Sequence, residues 1–193
     1  MKVGVLALQG DVREHLRALS TAGAAALPVK TPEQLAGVDA LVLPGGESTT
    51  IGKLLHRFEL IAPLRERARS GMPLYGTCAG LILMANEIDG PQDAPHRLRV
   101  LDVTVRRNAY GRQVDSFESE LEVAGLDDSF TAVFIRAPLI ERVGEDIEVL
   151  ATCDGAPVLV RSNHLMASSF HPEMTGDTRL HELFVQSARK GDG

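Results

Sequence analysis

The stretch Leu74-Tyr75-Gly76-Thr77-Cys78-Ala79-Gly80-Leu81-Ile82-Leu83-Met84-Ala85 allows few backbone paths. Apolar residues lead into a Gly-Thr-Cys-Ala-Gly turn, and a helix-like run leads out. The spacing G-x-C-x-G is the cysteine counterpart of the G-x-S-x-G nucleophile elbow. A nucleophile on a sharp strand-to-helix turn has a strained backbone, and small residues two positions to either side let the chain turn that tightly. The pattern predicts strand, turn and helix over residues 74–85, with Cys78 projecting beyond a strand end. It would face the first turn of the following helix, where unpaired N–H groups and a partial positive charge gather. Without a base nearby, such a cysteine is only a small buried hydrophobe.

The segments before the elbow set the fold. Residues 3–8 are a continuous apolar run, as expected of a strand buried on both faces of a parallel sheet. After Gln9-Gly10, Asp11 and Glu14 form a capping-box-like start, and Val12, Leu16 and Leu19 share one face of a helix over 11–22. A second strand spans 24–29. Thr31 and Pro32 then offer a helix cap and a proline at the first helical position. A third strand, 39–43, ends in Pro44-Gly45-Gly46, and helical patterns follow over 48–57 and 60–70. This alternation predicts an α/β protein: a three-layer open sheet, mostly parallel and doubly wound.

Beyond Gly90 the texture changes. Residues 90–95 read as a loop, and strands are expected over 100–106, 117–123, 131–136, 149–152, 158–161 and 165–170. Asp154-Gly155-Ala156-Pro157 reads as a hairpin turn, and Leu180, Leu183, Phe184 and Ala188 mark a closing helix. No repeat or long linker divides the 193 residues, so one domain over 1–193 is expected.

The base is found near the C-terminus. His171-Pro172-Glu173 follows directly on the last apolar strand. If the extended geometry continues, His171 and Glu173 point to the same side. A carboxylate beside an imidazole holds its tautomer and stabilises the imidazolium formed during turnover. Cys78 then reads as nucleophile, His171 as base and acid, and Glu173 as orienter. In open α/β sheets such groups converge beyond the carboxyl ends of the strands.

Composition closes off other classes. A net charge of −6 argues against nucleic acid as the main partner. Cys78 and Cys153 lie far apart without a C-x-x-C pair or a His/Cys cluster, so no metal site is expected, and Cys153 reads as structural. The N-terminal apolar run is too short for a membrane span and lacks a cleavage pattern, which points to a cytoplasmic protein with reduced thiols. Gly46-Glu47-Ser48-Thr49-Thr50-Ile51-Gly52-Lys53 fails as a phosphate loop, having five residues between its glycines and Leu54 after the lysine. His15, His56, His96, His164 and His181 read as surface or internally satisfied residues.

Together, Gly76-Thr77-Cys78-Ala79-Gly80 and His171-Pro172-Glu173 resemble the class I, triad-type glutamine amidotransferase domain, a flavodoxin-like fold. Further stretches narrow the resemblance to glutaminase subunits of pyridoxal 5′-phosphate synthase. They are Leu8-Gln9-Gly10, Val12-Arg13-Glu14-His15, Leu43-Pro44-Gly45-Gly46-Glu47-Ser48-Thr49-Thr50, Gly111-Arg112-Gln113-Val114-Asp115-Ser116-Phe117 and Phe134-Ile135-Arg136-Ala137-Pro138. The resemblance implies hydrolysis of L-glutamine to glutamate and ammonia without a cofactor. The ammonia would pass to a (β/α)₈ synthase subunit for vitamin B6 synthesis. It also implies that Gly46, Glu47, Ser48, Arg107, Ile135 and Arg136 hold the substrate, with Arg106 the alternative to Arg107. It relates the Gln9-Gly10 loop to completion of the oxyanion hole on partner docking, and sets His15 near the partner interface.

Attack on the side-chain amide makes an oxyanion that needs two aligned donors. The Ala79 N–H is one candidate, and an N–H from the Gly10 or Gly46 region is the other. Two further readings use the same residues: a peptidase-like cysteine hydrolase, and a catalytically silent binding subunit that keeps the fold.

Overall fold

The computed structural model describes residues 1–89, 96–107 and 116–190; the expected loop at 90–95, Asn108, and positions 111–115 of the Gly-Arg-Gln-Val-Asp-Ser-Phe stretch lie outside the described residues. The first part of the chain alternates as its apolar periodicity predicts. It runs β1 (Lys2–Leu6), α1 (Val12–Thr21), β2 (Ala25–Val29), α2 (Pro32–Ala36), β3 (Ala40–Leu43), α3 (Ser48–Arg57), α4 (Ile61–Arg69), β4 (Leu74–Thr77) and α5 (Ala79–Met84). There follow β5 (Ala85–Asp89), β6 (Leu101–Arg106), β7 (Ser116–Leu121), β8 (Phe130–Ile135), β9 (Leu139–Val143), β10 (Glu148–Cys153), β11 (Ala156–Ser162) and β12 (Leu165–Ser168). A 3₁₀ turn, Pro172–Met174, and α6 (Arg179–Lys190) close the fold.

The main sheet has seven strands in the order β10-β11-β12-β4-β3-β1-β2. The run from β2 to β12 is parallel, and β11 and β10 add an antiparallel edge. This is the mostly parallel, flavodoxin-like open sheet that the alternation predicts. Strand β12 pairs with β4 over Leu165↔Leu74 to Ser168↔Thr77, so the strand ends carrying Cys78 and His171 are neighbours.

Period-two alternation sorts the sheet's side chains onto two cores. Leu6, Leu41, Leu43, Leu74 and Ala167 face the layer with Leu35 of α2, Ile51 and Leu55 of α3, Leu64 of α4 and Leu81 of α5. Val3, Val5, Ala40, Val42, Tyr75 and Met166 face Leu19 of α1 and Leu180, Phe184 and Ala188 of α6. Burial on both faces explains why these strands read as unbroken apolar runs.

Three local expectations change. Helix α5 stops after six residues because Ala85 turns extended (φ −57°, ψ 139°), and residues 85–89 become β5, which with β6 and β9 builds a second sheet. Neither β5 nor β9 shows in the sequence pattern, since only Ala85 and Ile140 among their apolar residues are fully buried, too few to set a period. The hairpin turn is only Asp154-Gly155, both at positive φ (50° and 79°), so Ala156 and Pro157 already pair in β11. Strands β1, β7 and β12 end at Leu6, Leu121 and Ser168, each two residues short of the expected limit. Among the described residues no helix is long and apolar enough to cross a membrane.

Candidate active site

Cys78 sits between β4 and α5 at φ 48°, ψ −99°, a conformation that costs a non-glycine residue about 1–3 kcal/mol. Its flanking glycines explain how the turn closes. A Cβ on Gly80 would stand 2.1 Å from the Leu43 carbonyl oxygen, and one on Gly76 would stand 2.7 Å from the Gly80 carbonyl carbon. The Cys78 N–H donates to the Ser168 carbonyl at 2.8 Å, which locks the elbow to the end of β12. The thiol is nearly buried, with Sγ 3.8 Å from the Ile135 carbonyl oxygen.

His171 reaches the same place by a different backbone path from the one expected. The extended geometry does not continue: His171 precedes the 3₁₀ turn Pro172–Met174, and its N–H donates to the Val133 carbonyl of β8 at 2.8 Å. The turn, not strand alternation, brings Glu173 back, so that the His171 Nδ1–H donates to Glu173 Oε1 at 2.8 Å. Both residues are buried. Burial pulls the His171 pKa down, but hydrogen bonds with Asp11, Cys78 and Glu173 outweigh it and push it up to about 12. Burial raises the Glu173 carboxyl, against the lowering effect of His171. A raised base and a raised acid thus compete for one proton across the 2.8 Å bond.

Asp11 enters the site instead of capping α1. Its side chain makes no cap hydrogen bond, which overturns the capping-box reading, and Oδ2 lies 3.4 Å from His171 Nδ1. The parallel order explains the encounter: β1 and β3 are the pair at which the winding direction reverses, and the loops after them meet there. The Asp11 N–H donates to the Gly45 carbonyl at 3.2 Å. A Cβ on Gly45 would lie 2.4 Å from His171 Cε1, so only glycine leaves room for the imidazole.

Cys78, His171 and Asp11 open into a cavity of about 460 Å³, a common size for a small-molecule site. Gly46, Glu47, Ser48, Ala79, Arg107, Ile135 and Arg136 line it, as do Ile82 and Met174. Every substrate-side residue expected from the sequence is therefore in the cleft. Arg106 is not, being paired with Glu141 at 3.0 Å. The Glu47 carboxylate is already engaged, accepting from the Thr49 and Thr50 N–H groups at the start of α3 (3.0 and 2.7 Å). Burial raises its pKa, but the Thr50 hydroxyl and these amides lower it further. The Glu47 N–H donates to Gln9 Oε1 at 2.8 Å, tethering the 45–47 turn to the loop after β1. Gly10 does not line the cavity; it packs on Gly45, where a Cβ would come within 1.8 Å of the carbonyl oxygen.

The sequence pattern missed Asp11 as a site residue, although it lies in the loop after a parallel strand, where such groups collect. His15 is fully buried and internally bonded, with His181 Nε2 3.0 Å from its Nδ1. Among the described residues, Asp11, His171 and Glu173 are the group with metal-ligand chemistry, their ligand atoms within 4.8 Å of one another. His171 Nδ1 is already bonded to Glu173, so a cation there would have to break that pair.

Residues 5–190 match the SNO glutamine amidotransferase family. The chain belongs to this family. It is 59% identical over 189 residues to a Mycobacteroides abscessus protein named pyridoxal 5′-phosphate synthase subunit PdxT, covering 98% of each. A crystal structure described as a glutamine amidotransferase matches with a TM-score of 0.93 at 54% identity, covering 98% of this chain and 100% of that one. PurLQS from Thermotoga maritima matches over 100% of both chains with a TM-score of 0.70 at 16% identity, a likeness of fold alone. The amidotransferase fold thus sets the cysteine elbow, the histidine turn and the two arginines around one cleft.

Proposed function

We propose that this chain hydrolyses L-glutamine to glutamate and ammonia through Cys78, His171 and Glu173, and delivers the ammonia to the synthase subunit of a pyridoxal 5′-phosphate synthase. The observation that carries this reading is the buried line of Cys78, His171 and Glu173 opening into a cleft that also holds Arg107 and Arg136. The names of the near-identical-length relatives supply the pathway.

The Cys78 sulfur attacks the side-chain amide carbon while its proton resides on His171. The Ala79 N–H, at the first position of α5, lies in the cleft and is suited to the developing oxyanion, and the Gly46 turn is the source of the second donor. Losing one such donor costs about 10²–10³ in rate. His171 then protonates the departing ammonia, leaving a thioester on Cys78, and activates water to release glutamate. Glu173 holds the Nδ1–H throughout, so that Nε2 is the atom that exchanges protons. Arg107 and Arg136 suit the substrate's α-carboxylate, because a guanidinium can clasp it with two parallel hydrogen bonds. The synthase partner is of (β/α)₈ type, and its docking completes the oxyanion hole through the Gln9-Gly10 loop, which already touches the 45–47 turn.

Ammonia release from L-glutamine, with and without the synthase subunit and with Cys78→Ala as blank, tests the proposal. Release that rises with the partner and vanishes in the variant is expected. No release from the assembled complex would sink the glutaminase reading. Labelling of Cys78 by a glutamine-analogue diazoketone separates a glutaminase from a peptidase-like hydrolase, and a Cys78 inert to every electrophile would favour a silent subunit.

A further inference from the structure

Behind Glu173 the core holds two histidines that the chemistry above leaves unused. His15 of α1 has Nδ1 3.0 Å from His181 Nε2 of α6, and its Nε2 lies 3.1 Å from Thr77 Oγ1 and 3.4 Å from Glu173 Oε2. Both imidazoles are fully buried. Glu173 Oε2 and His181 Nδ1 are buried atoms that lack a well-formed hydrogen bond among the described residues.

Of the two proton arrangements, one suits this geometry better. If His15 carried its proton on Nδ1 and donated to His181 Nε2, His181 would carry its own on Nδ1, a buried donor facing nothing. A bare His15 Nε2 would then face the carboxylate lone pairs of Oε2. The opposite arrangement leaves a single unfilled acceptor at His181 Nδ1 and points an N–H at Thr77 and Glu173 together. An unmet buried donor and a lone-pair collision are both removed. We propose that His15 is a positioning residue for the reaction, its Nε2–H shared between Thr77 Oγ1 and Glu173 Oε2 and its tautomer set by the Nε2–H of His181. The inference rests on the glutaminase reading.

Burial, then the neighbouring His181 and His171, hold the His15 pKa well below its usual range, and burial takes His181 down to about 4. Both are therefore neutral donors near pH 7. A neutral N–H orients the Glu173 carboxylate without cancelling the charge that His171 needs. The other groups facing Glu173 are His171, which is bonded to Oε1, Asp11, and the Tyr75 hydroxyl, which donates to Ser168. A donor at Oε2 favours the ionised form of a carboxyl that burial pushes the other way.

The test measures glutaminase kinetics of the complex with its synthase subunit, for wild type, His15→Leu and His15→Gln. His15→Leu should lower kcat about 10–100-fold, the usual cost of losing an outer orienting contact, with KM nearly unchanged. The acid limb of its kcat–pH profile should move to higher pH, since Glu173 loses a donor to its charged form. His15→Gln, which can again present an N–H, should recover most of the rate and the limb. A folded His15→Leu with wild-type kcat and limb overturns the inference. Should His15→Leu not fold, long-range ¹H–¹⁵N NMR of the wild type decides. Protons on Nε2 of both His15 and His181 support it, and a proton on His15 Nδ1 overturns it. A wild-type complex that releases no ammonia overturns the glutaminase reading itself, and this inference with it.

Discussion

The two walls of the cleft are built differently. On the reacting side Cys78, His171 and Glu173 are buried, and backbone bonds of 2.8 Å to Ser168 and Val133 hold the first two. On the recognition side Glu47 is half exposed, and Arg107 reaches Thr49 and Glu47 only at 3.4 Å. Ile135 and Met174 leave apolar surface at the rim. A partly exposed ion pair such as Arg107–Glu47 contributes little, about 0–1 kcal/mol, so Arg107 can turn to a carboxylate at small cost. The reacting wall has no such freedom, because its distances come from close-packed main chain. The proposed catalytic groups are thus placed by backbone, and the proposed recognition groups Glu47 and Arg107 by side chains open to solvent.

That contrast can be broken most severely at Cys78, the proposed nucleophile. Cys78→Ala should lower kcat in the complex by more than about 10⁴-fold. Its unfolding free energy should stay within about 1 kcal/mol, because little packing is removed. Next comes Gly45→Ala, which changes no reacting group. Its methyl would meet His171 Cε1 at 2.4 Å, and a displaced imidazole should lower kcat about 10²-fold while KM holds. An unchanged kcat would show that the reacting wall yields more than its packing implies.

On the other wall, Arg107→Ala should raise KM about 10–100-fold, the worth of charged hydrogen bonds, with kcat nearly intact. Arg106→Ala should alter neither, since Arg106 pairs with Glu141 outside the cleft. Equal effects from the two arginines would erase the distinction drawn here.

The smallest effect falls on the pH dependence. His171, raised to about 12, contributes stability that is full below about pH 6.5, its unfolded value, and is lost as pH climbs toward 12. Asp11→Asn removes one of the groups that raise it. Unfolding free energies followed from pH 7 upward should then level off at lower pH than in wild type, and the alkaline limb of kcat should shift the same way. Identical limbs would show that Asp11 does not act on His171.

The sheet's parallel part was legible because burial on both faces writes itself as apolar runs: those at 3–8 and 39–43 mark β1 and β3, although β1 ends at Leu6, before its run does. The Gly76 and Gly80 spacing announced the elbow for an equally local reason, since no larger residue fits either place. Strands β5 and β9 were hidden because each buries a single residue completely, which leaves no period to read. Asp11 misled for a related reason: beside Glu14 it has the composition of a helix cap, while the loop after β3 turns it toward His171.

Sequence by itself determined the alternation of strands and helices up to the elbow, the cysteine turn and the pairing of a histidine with a glutamate two residues on, because each depends on residues close in the chain. Tertiary structure alone decided that β12 lies against β4, that Arg107 rather than Arg106 enters the cleft, and that His15 and His181 meet behind Glu173. Those contacts join residues far apart in the chain, and no local spacing encodes which sheet edge or helix face they will share.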